Sequence, residues 1–176
     1  MGVIVSESQL LDAVARDRAA GRTIVFANGC FDLLHVGHVR YLAGAAAEGD
    51  RLIVAVNDDR SVAALKGRGR PVMPAADRAE LVAAIRGVDY VVVFPDPTVE
   101  RLLNQLQPDV HCKGTDYTID TVPERAVVAA YGGRIAIVGD RKDHATRDLV
   151  ARIRSVTATD ERRTTNDERR TTNLER

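Results

Sequence analysis

Aromatic residues are scarce in this chain of 176 residues: four Tyr, three Phe and no Trp, 4% in all. Extended stacking on single-stranded nucleic acid, which needs aromatic platforms, is not expected. An excess of one charge sign is missing as well. Lys plus Arg number 25 and Asp plus Glu 25, so net charge draws the chain neither to nucleic acid nor to an anionic membrane. No apolar run reaches the roughly 18 residues of a membrane span, and MGVIVSESQLLD lacks the basic and apolar regions of a secretory leader. The expectation is a chain that neither crosses a membrane nor is exported. Cysteine is limited to Cys30 and Cys112, too few for a disulfide framework, which suits a reduced, cytoplasmic setting.

What the chain does have is apolar substance. Some 45% of its residues are hydrophobic, enough for the core of one α/β domain at this length. They follow two alternating periods. Ser6-Glu7-Ser8-Gln9 is a capping box opening an amphipathic helix with Leu10, Leu11, Val14 and Ala15 on its apolar side, and Gly21 ends it. Short apolar runs at residues 23–27, 51–56, 90–94, 109–112 and 134–138 predict five strands buried on both faces. Helical stretches at 37–47, 59–65, 75–85, 98–106, 122–131 and 146–154 separate or follow them. That alternation predicts a Rossmann-like, doubly wound, five-stranded parallel sheet of the α/β class. Ligands of such sheets bind beyond the carboxyl ends of the strands, where the strand order reverses.

The end of the chain differs in kind. Residues 160–166 and 167–173 are a perfect tandem repeat, DERRTTN, with no apolar residue in either copy. Such a segment has nothing to bury. The expected division is a body at residues 1–156, with the helix of residues 1–21 packed on it, and a disordered or frayed tail at 157–176.

Residues 28–41 read NGCFDLLHVGHVRY. Asn28-Gly29 turns tightly after a buried strand, and Cys30, Phe31 and Asp32 lead to His35-Val36-Gly37-His38 at the mouth of a helix. Histidines three apart at a helix start share one side of its first turn. Gly37 between them lets a ligand approach the backbone. The free N–H groups and positive dipole end of that turn favour a phosphate. Imidazoles beside it can donate to phosphate oxygens as charge builds during transfer. Asp32 either caps the turn or orients the histidines. No set formed with the cysteines has zinc spacing, so no metal-ligand residues are expected.

Lys66, Arg68 and Arg70 put three positive charges in five residues, which suits a site where two phosphorylated substrates meet. Asn57-Asp58-Asp59 ends the second strand, where an acid caps the next helix or meets substrate hydroxyls. Lys113-Gly114-Thr115-Asp116-Tyr117 follows the fourth strand on the same side, and Cys112 is a small core residue.

NGCFDLLHVGHVRYL, followed by RLIVAVNDD, LKGRGRPVMPAADRAELVAAI, PDVHCKGTDY and YGGRIAIV, resembles the HxGH nucleotidyltransferase (cytidylyltransferase-like) superfamily. Within it the succession is most similar to the adenylyltransferase domain of bacterial ADP-heptose synthases, over residues 23–154. The resemblance implies a homodimer that moves a nucleotidyl group from Mg2+-bound ATP, or CTP, to a sugar 1-phosphate, D-glycero-β-D-manno-heptose 1-phosphate. It implies catalytic roles for His35, His38 and Lys66. Nucleotide contacts fall to Asn28, Gly29, Cys30, Phe31, Gly37, Lys113, Thr146 and Arg147. Sugar-phosphate contacts fall to Asp32, Asn57, Arg70, Arg78, Gly114 and Asp116. Mg2+ rides mainly on the nucleotide. The related domain is often fused behind a sugar kinase, for which this chain has no room, so it resembles the stand-alone form.

One motif departs. The Ser-Thr-Thr-like cluster that opens the family's last helix reads His144-Ala145-Thr146-Arg147 here, keeping one hydroxyl and adding a charge. Two rival readings stand beside the heptose one: transfer from CTP to glycerol 3-phosphate or another small phosphorylated acceptor, and a nucleotide-binding regulator without turnover.

Deleting residues 157–176 is expected to leave activity intact and the melting temperature within about 5 °C of the full chain. A larger fall in calorimetry would show that the repeats dock on the body.

Overall fold

A computed structural model of the chain describes residues 1–140 together with Val150, Ala151, Ile153 and Ser155, which are helical. The helix expected at 146–154 is therefore seen only at these last positions, and the tail at 157–176, Thr146 and Arg147 lie outside the described residues. The chain divides into two units, Met1–Asp143 and His144–Arg176, and the first carries the whole sheet.

Its strands are β1 (Val3–Ile4), β2 (Ile24–Gly29), β3 (Arg51–Asn57), β4 (Tyr90–Phe94), β5 (Val110–Gly114) and β6 (Arg134–Val138). The helices are α1 (Glu7–Ala19), α2 (Val36–Ala46), α3 (Asp59–Lys66), α4 (Ala75–Ala83), α5 (Glu100–Leu106) and α6 (Arg125–Ala130), with a 3-10 turn at Ile119–Thr121. All pairings are parallel, in the order β1-β4-β3-β2-β5-β6. The sheet thus has six strands where five were expected. The additional one, β1, pairs Val3 with Tyr90 and Ile4 with Val91 at the edge. Two exposed residues carry no periodic pattern, so nothing in the sequence marks them.

Alternation along the strands builds two cores. Val25, Ala27 and Cys112 face α2 and α4 in a cluster with Tyr41, Leu42, Ala45, Ala79 and Val82. Ile24, Phe26 and Val92 face the other way, in a cluster with Leu10 and Val14 of α1, Leu102, Leu103 and Leu106 of α5, and Val128 of α6. The result is a three-layer α/β/α body.

The capping box of α1 forms as read: Gln9 N–H donates to Ser6 Oγ at 3.3 Å and Ser6 N–H to Gln9 Oε1 at 2.9 Å. Its inner face differs from expectation. Leu10, Ala13, Val14 and Asp17 are buried, whereas Leu11 and Ala15 are exposed. Asp17 tolerates burial because Tyr90 donates to it at 2.9 Å and Arg22 pairs with it at 2.5 Å.

The two ends of the sheet are built differently. At the amino ends, aspartates receive the first strand amides: Asp50 from Thr23, Asp109 from Ile24 and Asp89 from Leu52, at 2.7 to 2.9 Å. At the carboxyl ends, β2 lies between β3 and β5, and the chain runs from β2 to β3 and β4 on one side before returning to β5 on the other. That gap is the switch point, where a parallel sheet leaves room for a ligand.

Candidate active site at the switch point

The register Phe26↔His111 between β2 and β5 carries Asn28 to the side of Lys113, two residues further along each strand. Lys113 Nζ donates to Asn28 Oδ1 at 2.9 Å and to Glu124 Oε1 at 3.1 Å, and stands 5.6 Å from the centre of the Tyr117 ring. Burial pushes the Lys113 amine down, while the Glu124 carboxylate opposes that fall. Gly114 ends β5 where a Cβ would come within 2.9 Å of Asp116 Oδ1, so a larger residue there would push the Asp116 side chain aside.

The loop after β2 is strained. Phe31 and Leu33 adopt φ of 49° and 58° without being glycine, a cost that persists only where surrounding contacts impose it. Those contacts are visible. The Phe31 ring is buried and lies 5.4 Å from the His38 ring. His35 caps α2 with extended backbone, and its ring stacks on that of His38 at 3.9 Å. Gly37 sits in the first turn between them. Burial, with the repulsion of His35 next, lowers the His38 pKa to about 4. His38 is thus neutral at pH 7.

Read from sequence as substrate contacts, Asp32 and Arg78 are found turned inward. Asp32 Oδ2 accepts from Arg70 Nη1 at 2.6 Å, and Oδ1 accepts the Val72 and Met73 amides at 2.9 and 3.1 Å. Arg78 is fully buried. Its guanidinium donates to Met73 O at 2.9 Å, Cys30 O at 2.5 Å and Asp59 Oδ1 at 2.7 Å. One side chain therefore joins the loop after β2, the start of α3 and the loop before α4. Arg70 is committed to Asp32, which leaves Lys66 and Arg68 as the exposed cations of KGRGR. Gly67 and Gly69 turn that loop at φ of 87° and 79°, open to glycine at little cost. Asn57, buried at the end of β3, accepts from the Cys30 thiol at 3.9 Å. Burial raises the Cys30 thiol, with Lys66, Arg78 and Arg70 opposing, so the three cations reach the same loop.

The structure thus gathers Asn28, Gly29, Cys30, Phe31, His35, Gly37, His38, Asn57, Lys113 and Gly114 at the carboxyl ends of β2, β3 and β5. Glu124 and Tyr41 escaped the sequence reading. Tyr41 donates from its buried hydroxyl to Cys112 O at 2.8 Å, tying α2 to β5. Glu124 sits inconspicuously in VPER, yet the strand alternation of His111 and Lys113 signals a polar patch on one face of β5.

A parallel sheet whose switch point holds stacked histidines over a helix start, flanked by cations, is the framework of a nucleotidyl-transferring enzyme. The comparisons agree. The family described as cytidylyltransferase-like matches residues 26–170, and the chain belongs to that family of nucleotidyltransferases. It is 51% identical over 152 residues to the bifunctional protein HldE of Ectopseudomonas mendocina, covering 86% of this chain and 32% of the relative. Identity to the bifunctional protein HldE of Alcanivorax borkumensis is 47% over 151 residues, with the same coverages. The chain spans about a third of the length of these relatives. The lipopolysaccharide core biosynthesis protein from Thermoplasma volcanium superposes with a TM-score of 0.58 at 25% identity, over 68% of this chain and 99% of that one. Among the described residues no helix is long and apolar enough to cross a membrane.

His111 gives the site a pH signature. Fully buried and stacked on Phe26 at 5.7 Å, it is held neutral, its pKa lowered from 6.5 to about 3 by burial and then by Lys113. Between those values the unfolded chain binds a proton that the folded one refuses, so stability falls as pH drops through that window. In urea denaturation, His111→Phe is expected to flatten the fall from pH 6.5 to about 4.5 by roughly 1 kcal/mol per pH unit. Equal slopes in both proteins would show that His111 titrates alike folded and unfolded.

Proposed function

We propose that this domain transfers an adenylyl group from ATP to D-glycero-β-D-manno-heptose 1-phosphate, releasing pyrophosphate. The observation that carries the reading is the His35–His38 stack at the first turn of α2, placed at the switch point between β2 and β5. An oxygen of the sugar phosphate attacks the α-phosphorus of the nucleotide. A P–O bond forms to the acceptor, and the α–β bridging bond breaks with its electron pair leaving on pyrophosphate. No covalent enzyme intermediate is needed, so positioning and charge stabilisation supply the rate.

His35 and His38 stabilise the α-phosphate and the departing pyrophosphate. His38, neutral in the free protein, gains a proton as the triphosphate's negative charge favours imidazolium. Lys66, exposed at the end of α3, neutralises charge during transfer. Asn28, Gly29, Cys30, Phe31, Gly37 and Lys113 line the nucleotide side, joined by Thr146 and Arg147. Asn57, Gly114 and Asp116 serve the sugar phosphate, and Asp32, Arg70 and Arg78 act on it through the loops they hold.

Cations and imidazoles dominate the site, and both Asp32 oxygens are already engaged. A hard divalent cation wants oxygen ligands, so the donor set fits Mg2+ delivered on the phosphates, where it offsets charge and templates the leaving group. The heptose assignment is supported by the succession LKGRGRPV and KGTDY and by the HldE relatives. A homodimer in the cytoplasm, with a body at residues 1–156 and a passive tail at 157–176, completes the proposal; the dimer rests on the family resemblance, and the free thiols of Cys30 and Cys112 suit that compartment.

Pyrophosphate release measured with ATP and CTP against a panel of phosphorylated acceptors tests the reading. With ATP, kcat/KM for the heptose 1-phosphate is expected to exceed that for glycerol 3-phosphate by about 10³-fold, because unpaired polar groups penalise an acceptor lacking hydroxyls. His38→Ala is expected to lower kcat by about 10²-fold. Preference for glycerol 3-phosphate and CTP would overturn the acceptor, and full turnover by His38→Ala would remove the histidine from the mechanism.

A further inference from the structure

A buried lysine and a buried glutamate face each other behind the site, with a histidine beside them. Lys113 is 7% exposed and Glu124 6%, and Nζ lies 3.1 Å from Oε1. A buried ion pair contributes little to stability, since desolvating both charges offsets their attraction. Apolar residues of similar size would serve the fold as well.

The surroundings are arranged for the ammonium, not for the pair. From β2, Asn28 Oδ1 accepts a second Lys113 N–H at 2.9 Å. In the loop after β5, the Tyr117 ring stands 5.6 Å from Nζ, and the charge of Asp116 also favours the protonated amine. On β5 itself, His111 Nε2 is 3.8 Å from the second Glu124 oxygen, and neither atom has a hydrogen-bond partner among the described residues. Because burial keeps His111 neutral, it does not compete for the carboxylate. Lys113 is the one Lys or Arg within ion-pair distance of Glu124 among the described residues. Two of the three Lys113 N–H donors are accounted for by Asn28 and Glu124. The third belongs to an amine at the carboxyl end of β5, where the nucleotide phosphates are read to lie.

We propose that Glu124 is a positioning residue for the nucleotide site: its carboxylate holds Lys113 protonated beside Asn28, so that the lysine meets the triphosphate as a cation. The proposal rests on the nucleotidyltransferase reading above. Removing the Glu124 charge while keeping its shape and acceptor oxygen should let burial win. Lys113 then loses its proton at lower pH, and phosphate affinity fails earlier on the alkaline side.

The test is calorimetric titration of Mg2+-ATP, and separately Mg2+-CTP, from about pH 7 to pH 10 into wild type, Glu124→Gln and Lys113→Met, with the Lys113 side-chain pKa followed by carbon-13 NMR. In Glu124→Gln the lysine pKa and the alkaline limb of binding are expected to fall together by about one pH unit, a tenfold weaker affinity on that limb. Near pH 7 the variant should bind within about threefold of wild type, because Lys113 is still charged there. Lys113→Met should bind weakly with no such limb. Affinity lost equally at every pH, or a lysine pKa that does not move, overturns the positioning role while leaving the enzyme class intact. Failure of wild type to bind either ATP or CTP overturns the nucleotidyltransferase reading, and this one with it.

Discussion

The guanidinium of Arg78 is the interaction on which the site depends. Two loops and the start of α3 meet at the carboxyl ends of β2 and β3, and each contributes one acceptor to this fully buried side chain: Cys30 O, Met73 O and Asp59 Oδ1. A fork-shaped cation with donors in fixed directions can satisfy three separate chain segments at once. Lysine, a point charge on a flexible stem, cannot. Asp32 completes the arrangement by receiving Arg70 and the amides of Val72 and Met73. The strained φ values of Phe31 and Leu33 persist inside this frame, and the frame sets where the His35–His38 stack stands.

The sheet supplies the rest by elementary geometry. Parallel strands bring all their carboxyl ends to one edge, and reversal of strand order opens a crevice there. Polar side chains at β2 and β5 fall beside each other because the register pairs Phe26 with His111. At the other edge, Asp50, Asp89 and Asp109 absorb the leading amides.

Much of this was legible in the sequence, for a physical reason. Buried parallel strands read as short apolar runs, and RLIVAV, YVVVF and RIAIV mark their strands to within a residue. The Ser6–Gln9 box and the His35–His38 turn act through local backbone, so their spacing sufficed. What escaped depends on distant contacts. Two exposed residues of β1 form a strand only because β4 offers an edge. Arg78 and Asp32 resemble solvent-facing anchors until the loops fold over them. Glu124 carries no motif, and its importance comes wholly from Lys113, which a different segment brings to it. Leu11 was assigned inward by type, yet the helix turns Asp17 inward because Tyr90 and Arg22 satisfy it.

If Arg78 locks the site loops as one unit, breaking its fork should release them together without loosening the sheet. Amide hydrogen exchange on wild type and Arg78→Lys reads this directly. Exchange at Val72 and Met73, whose amides Asp32 receives, and at Ser61, whose amide Asp58 caps, should accelerate in concert by about tenfold or more, while Phe26, Val54 and Val91 in the sheet stay protected. Unchanged exchange at Val72, Met73 and Ser61, or acceleration at only one of the loops, would contradict a site held by a single buried guanidinium.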